Sequence, residues 1–227
     1  MKFFDSLISD IEKLLTPLNY QKLSPSPTWR DFGQNQIILK RDTAFELDGV
    51  GFNLVTSQNI PDSIILVGDD LKDIRFNRKF ARIALVQTDE NEDTQAEYNL
   101  IKKIDYVKYH LFPDGYMMRS TSRSHQEAVR VSLSAIKNGI NFQSIGSLMI
   151  EKYKQIPAVK GVTIIFITSP EANYTEIANI AEKNHSITET LNHVMNQMTF
   201  DCDTCKQKAI CDEIEGIKNL HFAKMNN

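Results

Sequence analysis

The sequence predicts an α/β or α+β protein: a single mixed sheet with helices packed on it, an N-terminal amphipathic helix and a C-terminal cysteine segment. Three observations predict this. The apolar pattern switches between helical period and short strand-like runs along the chain. One late run, VTIIFITS at 162–169, is apolar on both faces, as a strand covered on both sides must be. An apolar fraction of 41% over 227 residues supplies enough material for a sizeable core. The order helix, strands, helices, one buried strand, helices then fits helices layered on a sheet.

Phe3, Phe4, Leu7, Ile8, Ile11, Leu14, Leu15 and Leu18 recur at helical spacing and predict one amphipathic helix, ended near Pro17. The SPSPTW stretch after it reads as a loop. IILKRDTAFEL, GFNLVTS, SIILVG and ARIALVQT are short, rich in Ile, Val, Phe and Thr, and separated by Asp, Gly and Pro. They predict four or five strands between residues 30 and 88. After the acidic DENEDT the period becomes helical over 94–112, with Tyr98, Ile101, Ile104, Tyr106, Val107, Tyr109 and Leu111 on broad apolar faces. That change of period marks a candidate boundary near residue 90. FPDGYM carries a Pro-Asp-Gly turn. Ser124 to Lys137 reads as a helix closed by Asn138-Gly139, and Phe142 to Tyr153 as another. Beyond the apolar strand, Asn173 with Glu176 and Ser186 with Glu189 have capping-box spacing and predict two more helices. EIEGIKNLHF reads as a final short helix or turn. No internal repeat is present. The organisation expected is a domain over 1–200 and a cysteine-rich metal- or cluster-binding segment over 201–227.

A net charge of −3 argues against a general nucleic-acid binder. No apolar run approaches the roughly 20 residues that span a bilayer. The single early lysine is succeeded by Asp5, Asp10 and Glu12, which break the apolar stretch a signal peptide needs. The expectation is a cytoplasmic protein without nucleic-acid or membrane partners.

All three cysteines stand in DCDTCKQKAIC, spaced C-x2-C-x5-C at Cys202, Cys205 and Cys211. An odd, clustered set in a polar context suits thiolate ligation in a reducing compartment better than a disulfide framework. Thiolates are soft ligands for zinc or for iron–sulfur clusters. A structural zinc needs a fourth ligand. His221 lies ten residues beyond Cys211 and can fold back, whereas Asp201, Asp203 and Asp212 add repulsion beside thiolates. A 4Fe–4S cluster on three cysteines leaves one iron open or bound by a non-cysteine ligand. Both centres stay open at this point, with Cys202, Cys205, Cys211 and His221 as the candidate ligands. Free surface thiols are the plain alternative.

RSTSRSH and the residues after it gather Arg119, Arg123, His125 and Arg130. The reading of Ser124 onward as a helix puts Arg119 and Arg123 at its start, where free backbone N–H groups also favour an anion. Arginine forks fit phosphates. The plain alternative is a solvated helix end. Gly139 and Gly146 read as a helix cap and a close-packing position, since no phosphate-loop glycine motif is present. His110 and His125 flank the Pro-Asp-Gly turn and read as structural. Trp29, the only tryptophan, reads as core.

VGDDLKDI, then ARIALVQT, then RVSLSAIKNGINFQSIGSLMIEKYKQIPAVKGVTIIFIT resembles the middle α/β domain of the carbon monoxide dehydrogenase/acetyl-CoA synthase complex beta subunit. The similarity spans roughly residues 45–170. Its matching positions are Arg130, Val131, Ser132, Ala135, Gly139, Gly146 and the strand from Val162 to Thr168. Leu133 departs from the family's lysine. The resemblance implies a stand-alone relative of that domain, in which arginines line a coenzyme A path. Arg119, Arg123 and Arg130 are then an anion site, and only Arg130 occupies a motif position. The family's Cys-Gly-Cys nickel motif is missing here, so acetyl-CoA synthesis does not carry over. The function implied by the resemblance and the cysteines together is an accessory iron–sulfur or metal-binding protein of one-carbon or acyl-CoA metabolism, of anaerobic type, that partners other subunits of a one-carbon or redox complex. The alternatives are a zinc-stabilised binding module with no redox role and a small enzyme with an open iron site.

Overall fold

In a computed structural model, residues 2–26, 29–34, 37–38, 44–89, 93–121, 125–196, 204–214 and 216–220 are described. Helix α1 (Asp5–Leu15) buries Leu7, Ile8, Ile11 and Leu15 along one stripe, as its apolar spacing requires. Seven strands come after it: β1 (Gln21–Leu23), β2 (Ala44–Thr56), β3 (Ser63–Val67), β4 (Arg78–Thr88), β5 (Tyr116–Ser120), β6 (Gln126–Ser132) and β7 (Val159–Ile167). They form one sheet in the order β1-β3-β7-β4-β2-β6-β5. The pairs β2/β4 and β3/β7 are parallel and the others antiparallel. Strands from both sides of residue 90 therefore interleave, with β7 between β3 and β4 and β6 beside β2.

The remaining helices are α2 (Thr94–Tyr106), continued by a 3-10 turn at Val107–His110, α3 (Leu133–Lys137), α4 (Phe142–Lys154), α5 (Tyr174–Met195) and α6 (Lys208–Glu213). Strand β7 is buried at every position but Lys160, because α4 and its neighbours cover it. Phe142 of α4 clusters with Phe80 and Phe166 of the sheet, 6.0 and 4.5 Å away by ring centroid. Gly146 sits where α4 meets the sheet, and a Cβ there would lie 2.6 Å from Ile64 Cγ1. Helix α5 packs on β2 and β4, and α1 packs on β2 and α5. Among the described residues no helix is long and apolar enough to cross a membrane.

Three sequence readings are corrected. Of the segment read as a helix over 124–137, Gln126–Ser132 is strand β6 and only Leu133–Lys137 is helical. Glu127, Val129 and Val131 alternate inward there while Gln126 and Ala128 are exposed, which is the period of a strand. The strand runs expected over 37–47 and 51–57 join, from Ala44 on, into β2 without a break at Gly49-Val50-Gly51, and residues 39–43 lie outside the described residues. Ser186 opens no helix, because α5 runs continuously from Tyr174 past it and begins on the Asn173 cap, whose side chain accepts from the Glu176 N–H.

Candidate functional site

Of the proposed metal ligands, Cys202 and His221 lie outside the described residues. Cys205 and Cys211 are each half-buried and neither is in a disulfide; Cys211 packs against the core. Cys205 precedes the turn that enters α6, and Cys211 lies within that helix. The Cys205 carbonyl accepts from Lys208 N–H at 3.2 Å, and Cys211 N–H donates to the Gln207 carbonyl at 3.0 Å. The segment is fixed to the body at several points. Ile214 and Ile217 are buried in the core, Lys183 of α5 pairs with Glu213, and Thr190 Oγ1 donates to Gln207 Oε1 at 3.2 Å. Asp212 is engaged by Lys218 at 2.9 Å, and that hydrogen bond holds its pKa below the ordinary carboxylate value. Among the described residues no three His, Cys, Asp or Glu side chains converge on one point.

Of the three arginines, Arg123 lies outside the described residues. Arg119 and Arg130 stand on strands, where the sequence reading placed Arg119 at a helix start. Registers Arg119 to Ala128 and Met117 to Arg130 put both on one face of the β5–β6 pair. Arg119 is exposed there. Arg130 is already committed. Its Nε and a terminal nitrogen both engage Glu46 Oε1, and its other terminal nitrogen donates to the Ile38 carbonyl at 2.6 Å. Trp29 is half-buried and donates from Nε1 to the Asp114 carbonyl at 2.6 Å, a structural role.

A different constellation emerges at the notch of the sheet. Strand β6 pairs with β2 only from Ala44 to Val50. The last bond on that side runs from Gly51 N–H to the His125 carbonyl, 2.8 Å long. Beyond Gly51, where β2 is paired with β4 only, α2 and α5 close over it, and Tyr98 of α2 donates its hydroxyl to Asn192 of α5. The gap between them is a cavity of about 570 Å³. Its buried lining includes Val55, Tyr98, Ile101, His125 and Asn184; Lys102 and Glu189 are exposed at its rim.

Beneath the cavity runs a buried polar chain. Arg82, 1% exposed, forms an ion pair with the fully buried Glu127 at 2.8 Å. Its Nε also donates to Glu127 Oε1 at 2.8 Å. Burial opposes the Arg82 charge, Glu127 favours it, and the net is a pKa above the ordinary arginine value. Ser120 Oγ donates to Glu127 Oε2 at 3.0 Å. Asn53 Oδ1 accepts from Tyr153 Oη at 2.7 Å and from Arg82 at 3.3 Å. Burial pushes the Tyr153 hydroxyl up to about 12, so it stays a donor. Asn53 Nδ2 reaches Asp105 Oδ1 at 3.4 Å, and Asp105 holds the buried Lys108 at 2.9 Å. Gly51 makes room for the pair: a Cβ there would lie 2.0 Å from Glu127 Oε2 and 2.9 Å from an Arg82 nitrogen.

His125 stands at the start of β6, against this chain. It is the one described non-glycine residue with positive φ, 48°, a region an imidazole-bearing residue enters at a cost. Its ring is buried against Phe52 and edge-on to His185, with centroids 6.2 and 5.6 Å away. Nε2 lies 3.2 Å from Asn184 Nδ2. Nδ1, and Oδ1 of Asn184, are buried with no hydrogen-bond partner among the described residues. Burial, helped by the Lys108 charge, lowers the His125 pKa to about 4, so the ring is neutral at pH 7.

The sequence reading missed this site. Its one signal is Arg82 in the middle of ARIALVQT, because a charge in a strand apolar on both faces needs a buried partner. No protein-family model matches the chain, and no curated protein matches it.

Proposed function

We propose that the chain is an accessory metal- or iron–sulfur-binding protein, held in the cytoplasm, whose centre is carried by Cys202, Cys205 and Cys211. The carrying observation is that Cys205 and Cys211, neither in a disulfide and both half-buried, stand six residues apart across the start of α6, on a segment anchored to the core by Ile214 and Ile217. Soft thiolates in that state suit a 4Fe–4S cluster or zinc. With Asp212 engaged by Lys218, the fourth ligand in this reading is His221 or a group from a partner. The motif similarity to the acetyl-CoA synthase beta subunit supports a place in one-carbon or acyl-CoA metabolism, beside other subunits of such a complex. In that reading coenzyme A meets the exposed Arg119 face, because Arg130 is spent on Glu46.

The test is anaerobic purification and then quantification of iron, zinc and acid-labile sulfide. Iron and sulfide in equal amounts are expected, lost in each Cys→Ser variant. Colourless, sulfide-free protein with one zinc replaces the cluster with the zinc-stabilised module, and metal-free protein under every condition overturns the site. Coenzyme A binding that is unchanged by Arg119→Ala removes the anion site.

A further inference from the structure

We infer that the cavity between β2, α2 and α5 is a binding site for a small, planar, uncharged molecule that presents a neighbouring hydrogen-bond donor and acceptor, of the carboxamide or lactam type, to His125 and Asn184. This is independent of the cysteine centre, which lies on the C-terminal segment.

Size is the first argument. About 570 Å³ is within the range of small-molecule sites and far more than packing defects leave in a core. Chemistry is the second. Tyr98, Ile101 and Val55 give apolar walls suited to a flat ring. The deep polar groups are amides and a neutral imidazole, while the full charges near them are already matched: Arg82 by Glu127, and Lys108 by Asp105. A charged ligand would lose its hydration against a floor with no spare counter-ion. Lys102 and Glu189, of opposite sign, stay at the exposed rim.

The third argument is the orphaned pair. A buried polar atom without a partner costs on the order of 1–3 kcal/mol, and here two such atoms belong to touching residues that both line one cavity. Their chemistry is complementary under either orientation of the Asn184 amide. If its Nδ2 donates to His125 Nε2, then Nδ1–H is a free donor and Asn184 Oδ1 a free acceptor. If the amide is turned, Nδ1 becomes the acceptor and the amide NH₂ the donor. Either way the pair matches a group that donates and accepts side by side. Both atoms are covered by neighbouring side chains, so the ligand reaches them as the His125 and Asn184 side chains both turn toward the cavity. The positive φ of His125 marks a backbone held there against its own preference, which is common where a side chain is aimed for function.

Benzamide is the probe, with benzoate and benzylamine as charged analogues of similar shape. Affinity is read by calorimetry, and location by the imidazole resonances of His125, assigned by their loss in His125→Asn. Benzamide is expected to bind saturably and shift those resonances, with benzoate and benzylamine at least tenfold weaker. Thr188→Phe, which fills the cavity from α5, is expected to weaken benzamide at least tenfold. His125→Asn, a residue that tolerates positive φ, is expected to weaken it at least fivefold with the thermal unfolding midpoint retained. Absence of saturable benzamide binding, or equal affinity in both variants, overturns the site. Benzoate or benzylamine binding as tightly as benzamide overturns the uncharged ligand class.

Discussion

His125 concentrates three costs in one residue: a left-handed backbone, a buried ring and an unpartnered Nδ1. Its pH behaviour is set by the lowered pKa. The groups that face it are Lys108 and Asp105 from the α2 end, His185 from α5 and Arg82 from β4. The unfolded chain takes up the proton near pH 6.5 and the folded chain only near pH 4. Between those values the unfolded state binds more protons, so stability falls as pH drops through that window and levels off below it. The loss is on the order of 3 kcal/mol. Urea unfolding of the parent and of His125→Asn at pH 7 and pH 4.5 checks this. The gap between the two proteins should shift toward the variant at pH 4.5, and a gap that does not move would mean that the ring protonates as freely folded as unfolded. The Arg82–Glu127 pair makes a second residue-level prediction. Glu127→Gln leaves a buried guanidinium without its counter-charge and should cost about 3–5 kcal/mol. Arg82→Met with Glu127→Leu removes both charges and should cost less than the single change. A double variant that is the less stable of the two would show that the ion pair itself, not the stranded charge, carries the energy.

At the scale of elements, β2 shows what was legible and what was not. Helix α1, α4 and β7 are dictated directly by apolar period, because each buries a face or both faces against one neighbour. Gly139 ends α3 with φ 96°, and Gly146 is a contact glycine, both as their surroundings in the sequence suggest. Strand β2 was obscured because Gly49 and Gly51 resemble a turn, while their reason lies on other strands. Gly51 is small because Glu127 and Arg82 fill the space its side chain would take, and Glu127 comes from β6, far along the chain. The same strand, β6, was read as helix because Glu, Ala, Arg and Leu favour helices, whereas pairing with β2 imposes alternation. The cavity was hidden for the same cause, since it exists only where β6 stops short along β2. This geometry sets the cost of Gly51→Ala. The added methyl must displace a buried ion pair, so destabilisation should reach about 3 kcal/mol, the upper end of overpacking. Gly146→Ala meets Ile64 Cγ1 and a Phe166 ring edge instead, apolar groups with no charge to displace, and should cost about 1–2 kcal/mol. Chemical denaturation of the two variants checks the order, and equal losses would remove the ion pair as the cause.

Across the whole molecule, two regions differ in how they are held. The sheet is secured by long ladders and by burial on both faces of β7 and most of β4. Among the described residues the cysteine segment is held by Ile214 and Ile217 in the core, by Ile210, Cys211 and Leu220 packed against it, and by the Lys183–Glu213 pair and the Thr190–Gln207 hydrogen bond. An exposed ion pair contributes little, so most of that anchorage is apolar, centred on the two buried isoleucines. If the cysteines bind a centre, its binding energy must act on this weakly held segment rather than on the sheet, since local stability tracks local burial and bonding. Removing the metal by chelation should therefore raise hydrogen exchange over residues 204–220 and in the last turns of α5, and leave the amides of β2, β4 and β7 protected. Ile217→Ala should produce the same regional pattern with metal present, because it loosens the anchor from the opposite side. Collapse of protection across the whole sheet on chelation would show that the centre holds the fold together, which the anchoring contacts do not predict.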